Sequence, residues 1–241
     1  MSSKFVLITG ASGAIGSATA LKLAEEGYSL YLHYHTNRGA IDTLIGEIAK
    51  YNVEAIPVCA DLGSEEGAAE LSRQILSLHG IVLNSGKSHY GLITDVSMAE
   101  LHQMTQLHVM SPFILVQKLM PKLMKADQAS IVAVTSIWGD TGASCEVLYS
   151  MLKGAQNAFV KALSKEVAPM GIRVNAVSPG AVDTAMMASF TDEEKKELSE
   201  DIPLGRLAQA DEIAESVLFL LSDRASYTTG HVLKVNGGWF I

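Results

Sequence analysis

Two patterns alternate along the chain: short runs that are apolar at every position, and longer stretches with apolar residues three and four apart. Residues 4–9 form the first run, apolar from Phe5 to Ile8 and followed at once by glycine, as expected of a strand buried on both faces. Further runs at 30–34, 54–58, 81–83, 131–134, 172–177 and 231–235 predict seven strands in all. Helical spacing predicts helices over 17–26, 41–51, 64–78, 146–168 and 211–221. A long helix over 98–125 should break at Pro112, where the ring removes a backbone donor. The connection left at 77–80 is short. Strands alternating with helices predict an α/β protein, a single-domain Rossmann fold with a doubly wound, seven-stranded parallel sheet.

Length agrees with one domain spanning 1–241, and the 48% apolar and 18% charged content fits a compact globule. No apolar run approaches the roughly 18 residues of a membrane span. The run at Phe5 ends too soon for a signal peptide, so a cytoplasmic location is expected. A net charge of −8 argues against nonspecific attraction to nucleic acid or anionic lipid. The two cysteines, Cys59 and Cys145, lack metal-ligand spacing, and no metal site is expected. Cys59, within an apolar run, reads as a buried thiol; Cys145 stands near the chemistry described next.

Tyr149 and Lys153 are four residues apart in a predicted helix, which places both on one face. An ammonium there favours the phenolate and lowers the phenol pKa from its usual value near 10, fitting the group to give a proton to a ketone or take one from an alcohol. Ser136, thirteen residues earlier at the end of an apolar run, can hydrogen-bond the same substrate oxygen. A Tyr-x3-Lys pair is weak evidence alone in a chain with 7 Tyr, and gains weight from the rest.

The first strand runs through Gly10-Ala11-Ser12-Gly13-Ala14-Ile15-Gly16 into a helix, an arrangement whose amides approach a pyrophosphate. After the second strand, at His35-Thr36-Asn37-Arg38, no carboxylate appears before Asp42, where one would bind the ribose 2′-hydroxyl of NAD. Arg38, with Thr36 and Asn37, is instead placed for a 2′-phosphate, so NADP is the expected cofactor; the alternative for Arg38 is a plain solvated side chain.

Ser136, Tyr149 and Lys153, the glycine turn, and Pro179-Gly180 after a later strand together resemble the short-chain dehydrogenase/reductase family over essentially the whole chain. The resemblance implies cofactor contacts at Gly10, Ser12, Gly13, Ile15 and Gly16; at Asp61, on the adenine amino group, and Leu62; and at Asn84, Ser85 and Gly86. Tyr149, Lys153, Pro179, Gly180, Val182 and Thr184 complete that set, with Val182 and Thr184 toward the nicotinamide carboxamide. It also implies homotetramers or homodimers paired through the long helices, for which Leu115, Leu119, Phe159 and Leu163 could supply a seam.

His108 occupies the position where the family usually has an Asn in the proton path to the catalytic Lys, and an imidazole can also relay protons; the alternative is a helix-interior histidine with no proton role. The polar stretch 185–206 reads as a substrate lid. Within the family the layout is similar to 3-oxoacyl-[acyl-carrier-protein] reductases, which implies a carbonyl substrate on acyl carrier protein. Leu83, Ser85, His108 and the segment 138–146 depart from that branch. They are similar to a group associated with reducing a 5-aminopentanone carried on elongation factor P, whose amine Glu146 and Asp140 would suit. From another class, a catalytically silent NADP-binding regulatory protein has the intact Ser136, Tyr149 and Lys153 against it.

Overall fold

The computed structural model describes residues 4–187 and 190–241. Seven parallel strands form one sheet: β1 (Phe5–Ile8), β2 (Ser29–Tyr34), β3 (Ala55–Cys59), β4 (Gly80–Leu83), β5 (Ser130–Val134), β6 (Arg173–Pro179) and β7 (Val232–Val235). Their order is β3-β2-β1-β4-β5-β6-β7. The chain winds outward from β1 to β3, crosses back to β4, and winds outward again. The reversal leaves a crevice beyond the C-terminal ends of β1 and β4, where ligands bind in sheets of this kind.

Alternate residues of each strand point to opposite faces, so one apolar run serves two cores. Val6, Ile8, Leu30, Leu32, Val132 and Val177 bury one face against α1 (Ala14–Glu25), α2 (Arg38–Ile48) and α9 (Ala210–Leu221). Leu7, Tyr31, Ile81, Leu83, Ile131 and Val174 bury the other against α3 (Gly67–Gln74), α5 (Ser111–Leu123) and α7 (Val147–Val167). Strand β3 lies at the edge, which explains how it tolerates Pro57. The edge also corrects one expectation: Cys59 is exposed, its thiol bonded to the His35 carbonyl at 3.4 Å.

Helix boundaries differ from the sequence pattern where side chains take over backbone partners. The first helix begins at Ala14 rather than at 17, directly behind the glycine turn. The third ends at Gln74 rather than at 78, because Ile75 turns extended and the Leu76 N–H donates to the Tyr31 hydroxyl at 3.2 Å. The long helix expected over 98–125 is three pieces, α4 (Met98–Thr105), a π-helical turn over Gln106–Met110, and α5. The irregularity therefore precedes Pro112 instead of centring on it. Of the proposed seam, Leu115 and Leu119 are fully buried core, while Phe159 and Leu163 pack half-buried against the same core. Beyond β6 the polar stretch carries α8 (Asp192–Glu200), capped by Thr191 and Glu194. Ala188 and Ser189 of the expected lid lie outside the described residues. No helix among the described residues is long and apolar enough to cross a membrane.

Candidate active site

The crevice is a cleft of about 350 Å³. On the β1 side, Gly10 has the left-handed φ of +67° that glycine adopts without strain. A Cβ on Gly16 would lie 2.3 Å from the Gly10 carbonyl oxygen, so this position must be glycine for the turn to close. Gly13, by contrast, has room for a side chain. Gly13 caps α1 with no side-chain bond, and the first turn of that helix carries no acid. The helix N-terminus is thus free of competing groups and suited to an anion.

Two side chains brace this turn. The Gly10 N–H donates to His33 Nδ1 at 3.0 Å, and His33 Nε2 lies 3.1 Å from the Ala60 carbonyl, so the ring is a neutral imidazole with its proton on Nε2. Burial pushes its pKa down to about 4. Across the crevice, Asn84 Nδ2 donates to the carbonyls of Thr9 and Gly10, both at 3.1 Å, and the Thr9 hydroxyl accepts from the N–H groups of Asn84 and Ser85. His33 was not singled out in the sequence, where its one signal is a titratable residue inside a strand buried at all six positions.

At the nucleotide end, no carboxylate closes β2. Asn37 caps α2 by accepting from the Ala40 N–H at 3.1 Å. Arg38 is exposed, with Nε 2.8 Å from Asp42 Oδ1 and a second nitrogen 3.3 Å from the Tyr34 hydroxyl. Thr36 is exposed beside them. Asp61 accepts from the Gly63 N–H at 2.8 Å. Ile15, Asn84, Gly86, Pro179, Gly180, Val182 and Thr184 line the main cleft, whereas Leu62 and Ser85 line a small internal cavity behind it.

On the β5 side, Ser136, Tyr149 and Lys153 converge at the cleft floor. Burial and the nearby Glu146 carboxylate push the Tyr149 pKa up more strongly than the neighbouring Ser136 hydroxyl pulls it down, so the lowering expected from Lys153 is not found in the resting site. The resting phenol is therefore held protonated. Lys153 Nζ lies 5.5 Å from the Tyr149 ring centroid and donates to the Val134 carbonyl at 2.9 Å and to Gln156 Oε1 at 3.2 Å. Burial brings its pKa down to about 7.

His108 is fully buried, its ring edge-on to Tyr149 with centroids 5.9 Å apart. Its Nε2 meets the Lys87 backbone, 3.1 Å from N and 3.0 Å from O, while Nδ1 is buried with no partner. Burial and Lys153 push its pKa down to about 3, so it is neutral. Gly86 makes space for this ring, since a Cβ there would sit 2.8 Å from Cε1.

Further out, Trp138 of the short helix α6 (Trp138–Thr141) packs together with Trp239 and Phe240, the centroids 5.2 to 5.6 Å apart. Glu146, half-buried, faces the cleft, and burial raises its pKa against the opposing pull of the nearby Trp138 and His89. Asp140 instead accepts from Asn157 Nδ2 at 3.0 Å. Cys145 has a left-handed φ of +61° and its carbonyl accepts from the Gly91 N–H at 2.7 Å, a structural tie between the loop before α7 and the one after β4.

Residues 10–240 match the family described as Enoyl-(Acyl carrier protein) reductase, and the chain belongs to the short-chain dehydrogenase/reductase family of oxidoreductases. It is similar to the uncharacterized oxidoreductase YmfI of Bacillus subtilis (strain 168), 55% identical over 98% of both chains. It is also similar to the 3-oxoacyl-[acyl-carrier-protein] reductase FabG of Aquifex aeolicus (strain VF5), 37% identical over 98% of this chain and 97% of that one. Among solved structures, the angucycline C-6 ketoreductase LanV with bound NADP matches with a TM-score of 0.92 and 29% identity, over 98% of this chain and 95% of that one.

Proposed function

We propose that this oxidoreductase is an NADPH-dependent carbonyl reductase that converts a ketone to an alcohol. The observation that carries the reading is the meeting of Ser136, Tyr149 and the buried Lys153 on the floor of one cleft. The residues present fit a dinucleotide: Gly10 and Gly16 form a turn with no room for a Cβ at Gly16, at an α1 N-terminus without acidic side chains. When bound, the nicotinamide supplies the hydride. Tyr149, kept protonated by its surroundings, gives its proton to the ketone oxygen. Ser136 donates a hydrogen bond to that oxygen as negative charge develops on it. Lys153 holds the nicotinamide ribose and, as an ammonium, stabilises the phenolate that the transfer leaves. Val182 and Thr184 border the carboxamide end, Asp61 and Arg38 the adenosine end, and Met187, Phe190 and Leu198 the substrate end of the cleft.

Similarity to FabG supports a substrate carried as a thioester on acyl carrier protein. A second reading is favoured by Glu146, a half-buried carboxylate in a cleft walled by Trp138, Trp239 and Phe190. Such a group suits an ammonium, as in a 5-aminopentanone borne on elongation factor P. Following NADPH oxidation with an acetoacetyl thioester and with aminopentanone-modified elongation factor P decides between them. Under the first reading the thioester turns over and Glu146→Gln changes little; under the second the modified factor is preferred and Glu146→Gln removes the preference.

Assembly into dimers or tetramers is part of the same reading. Phe113 on α5 packs on Phe159 of α7 at 6.0 Å, and the exposed Met110, Phe113, Val147 and Met151 lie on these helices and the turn before them. Sedimentation showing monomers at micromolar concentration would reject it.

A further inference from the structure

The lysine of this site has a partner that neither its motif nor the reaction requires. Gln156 lies one helical turn after Lys153 on α7, nearly fully buried, where an amphipathic helix would place an apolar residue. Its Oε1 accepts from Lys153 Nζ at 3.2 Å and its Nε2 donates to the His108 carbonyl at 2.8 Å. We propose that Gln156 is a positioning residue: its amide bridges the Lys153 ammonium to the main-chain carbonyl of residue 108 and so fixes where the ammonium stands beside the phenol.

The bridge has a covalent origin. In a regular helix the His108 carbonyl would accept from the N–H of residue 112, but that residue is proline and has none. The chain passes this point as a π turn, the Ser111 hydroxyl is diverted to the Leu62 carbonyl at 2.7 Å, and the His108 oxygen takes a donor from another helix, Gln156 Nε2 at 2.8 Å. A buried carbonyl needs one, and Gln156 Nε2 provides it.

That bond sets the amide orientation. Turned over, the amide would face oxygen to oxygen at His108 and NH2 to ammonium at Lys153; as found, both ends are complementary. The ammonium then spends one N–H on the Val134 carbonyl and one on Gln156, and keeps a third for the cleft.

The alternatives at position 156 would behave differently. Leucine would take from the His108 oxygen its donor on α7 and leave Lys153 with a single acceptor. Glutamate would restore an acceptor for Lys153 but offer nothing to the carbonyl. The titratable groups set against Lys153 are Tyr149 on its own helix and His108 on the π turn, which is neutral; β5 presents the Val134 carbonyl. Lys153 is thus held by neutral acceptors, and its protonation answers to how many of them it has.

The test compares the parent, Gln156→Leu and Gln156→Glu. The Lys153 titration is read by NMR of 13Cε-labelled lysine in the resting protein, alongside kcat for an acetoacetyl thioester between pH 6 and 9. Loss of an acceptor disfavours the charged form, so Gln156→Leu should lower the Lys153 midpoint by about one unit, move the alkaline fall in kcat down with it, and cost about tenfold at neutral pH. Gln156→Glu should move midpoint and fall-off upward. One midpoint and one pH profile shared by all three proteins, whatever their melting temperatures, would overturn the proposal. If Gln156→Leu does not fold, the near-isosteric Gln156→Glu decides alone, and absence of its upward shift is the overturning result. The inference rests on the carbonyl-reductase reading, but the lysine titration needs no substrate; a parent inactive on every ketone would refute that reading and leave this one decided by NMR.

Discussion

Each half of the crevice contains a buried, neutral histidine, and the two are used in opposite ways. On the nucleotide half, His33 has both ring nitrogens engaged, one by the Gly10 N–H and one by the Ala60 carbonyl. On the catalytic half, His108 has one nitrogen against the Lys87 backbone and the other without a partner. A fully satisfied imidazole is a brace: it holds the glycine turn whose backbone amides, in the proposed reading, receive the pyrophosphate. A half-satisfied one beside Lys153 keeps an unpaired polar atom near the phenol, and its backbone carbonyl, more than its ring, engages the lysine through Gln156. The nucleotide half thus invests in geometry and the catalytic half in protonation states. Substitutions on the first should cost cofactor affinity or stability, and on the second, turnover.

The largest effect expected is at Tyr149. Tyr149→Phe removes the proton donor while keeping the ring against His108, so kcat should fall by about 10²- to 10⁴-fold with little change in NADPH affinity. Rapid-mixing kinetics alongside a cofactor titration measures both. A loss of affinity matching the loss of rate would place Tyr149 among the binding groups and erase the division between the halves.

Next comes the acid response of the histidines. Between pH 6.5, the ordinary imidazole value, and about 4, the folded-state value of His33, the unfolded chain binds a proton that the folded chain does not. Stability is therefore full above pH 6.5 and falls as the pH drops through this window, by roughly 3 kcal/mol for His33 alone. His108, held at about 3, adds a loss of the same sign. Urea denaturation at pH 7, 5.5 and 4 measures the slope, and His33→Asn should reduce it by about one proton. His33→Leu, which leaves the Gly10 N–H without an acceptor, should also weaken NADPH binding.

The glycine turn follows. Gly16→Ala drives a methyl into the Gly10 carbonyl, a backbone obstacle that cannot rotate away, whereas Gly13→Ala meets no atom closer than 3.5 Å. Overpacking of this kind costs about 1–3 kcal/mol. Thermal melts of the two variants should differ by that amount, with cofactor affinity lost in Gly16→Ala.

The sheet was legible because every strand carries its own evidence, an apolar run bounded by turn residues. Likewise, Tyr149, Lys153 and Ser136 could be placed together because a helical repeat and a strand end fix their positions. What the pattern concealed depends on partners distant in sequence. His33 reads as an odd residue in an apolar strand until the Gly10 N–H, 23 residues away, is seen to need an acceptor. Pro112 marks a break, but only the fold shows that the carbonyl it orphans is met by Gln156, 48 residues on. Cys59 is exposed for a similar reason, since whether an apolar run lies at the centre or edge of a sheet is set by strand order rather than by the run itself.

The smallest effect separates the cofactors. Arg38 is exposed and already committed, 2.8 Å from Asp42 one helical turn along α2 and 3.3 Å from the Tyr34 hydroxyl. A 2′-phosphate would have to compete with Asp42 for the guanidinium, but an exposed ion pair is a weak competitor against a doubly charged, bidentate acceptor. Arg38→Ala should therefore weaken NADPH by about tenfold and leave NADH unchanged, since NADH has no phosphate to lose a partner. Asp42→Asn should act in the opposite direction, freeing the guanidinium and removing a negative charge that repels the phosphate, and tighten NADPH by a few fold at most. Both effects should shrink with added salt, because the groups face solvent. Fluorescence titration of the two cofactors at low and high ionic strength measures all of this. If Arg38→Ala lowers NADH affinity as much as NADPH affinity, the arginine supports α2 and not a phosphate, and nucleotide choice is made elsewhere along the crevice.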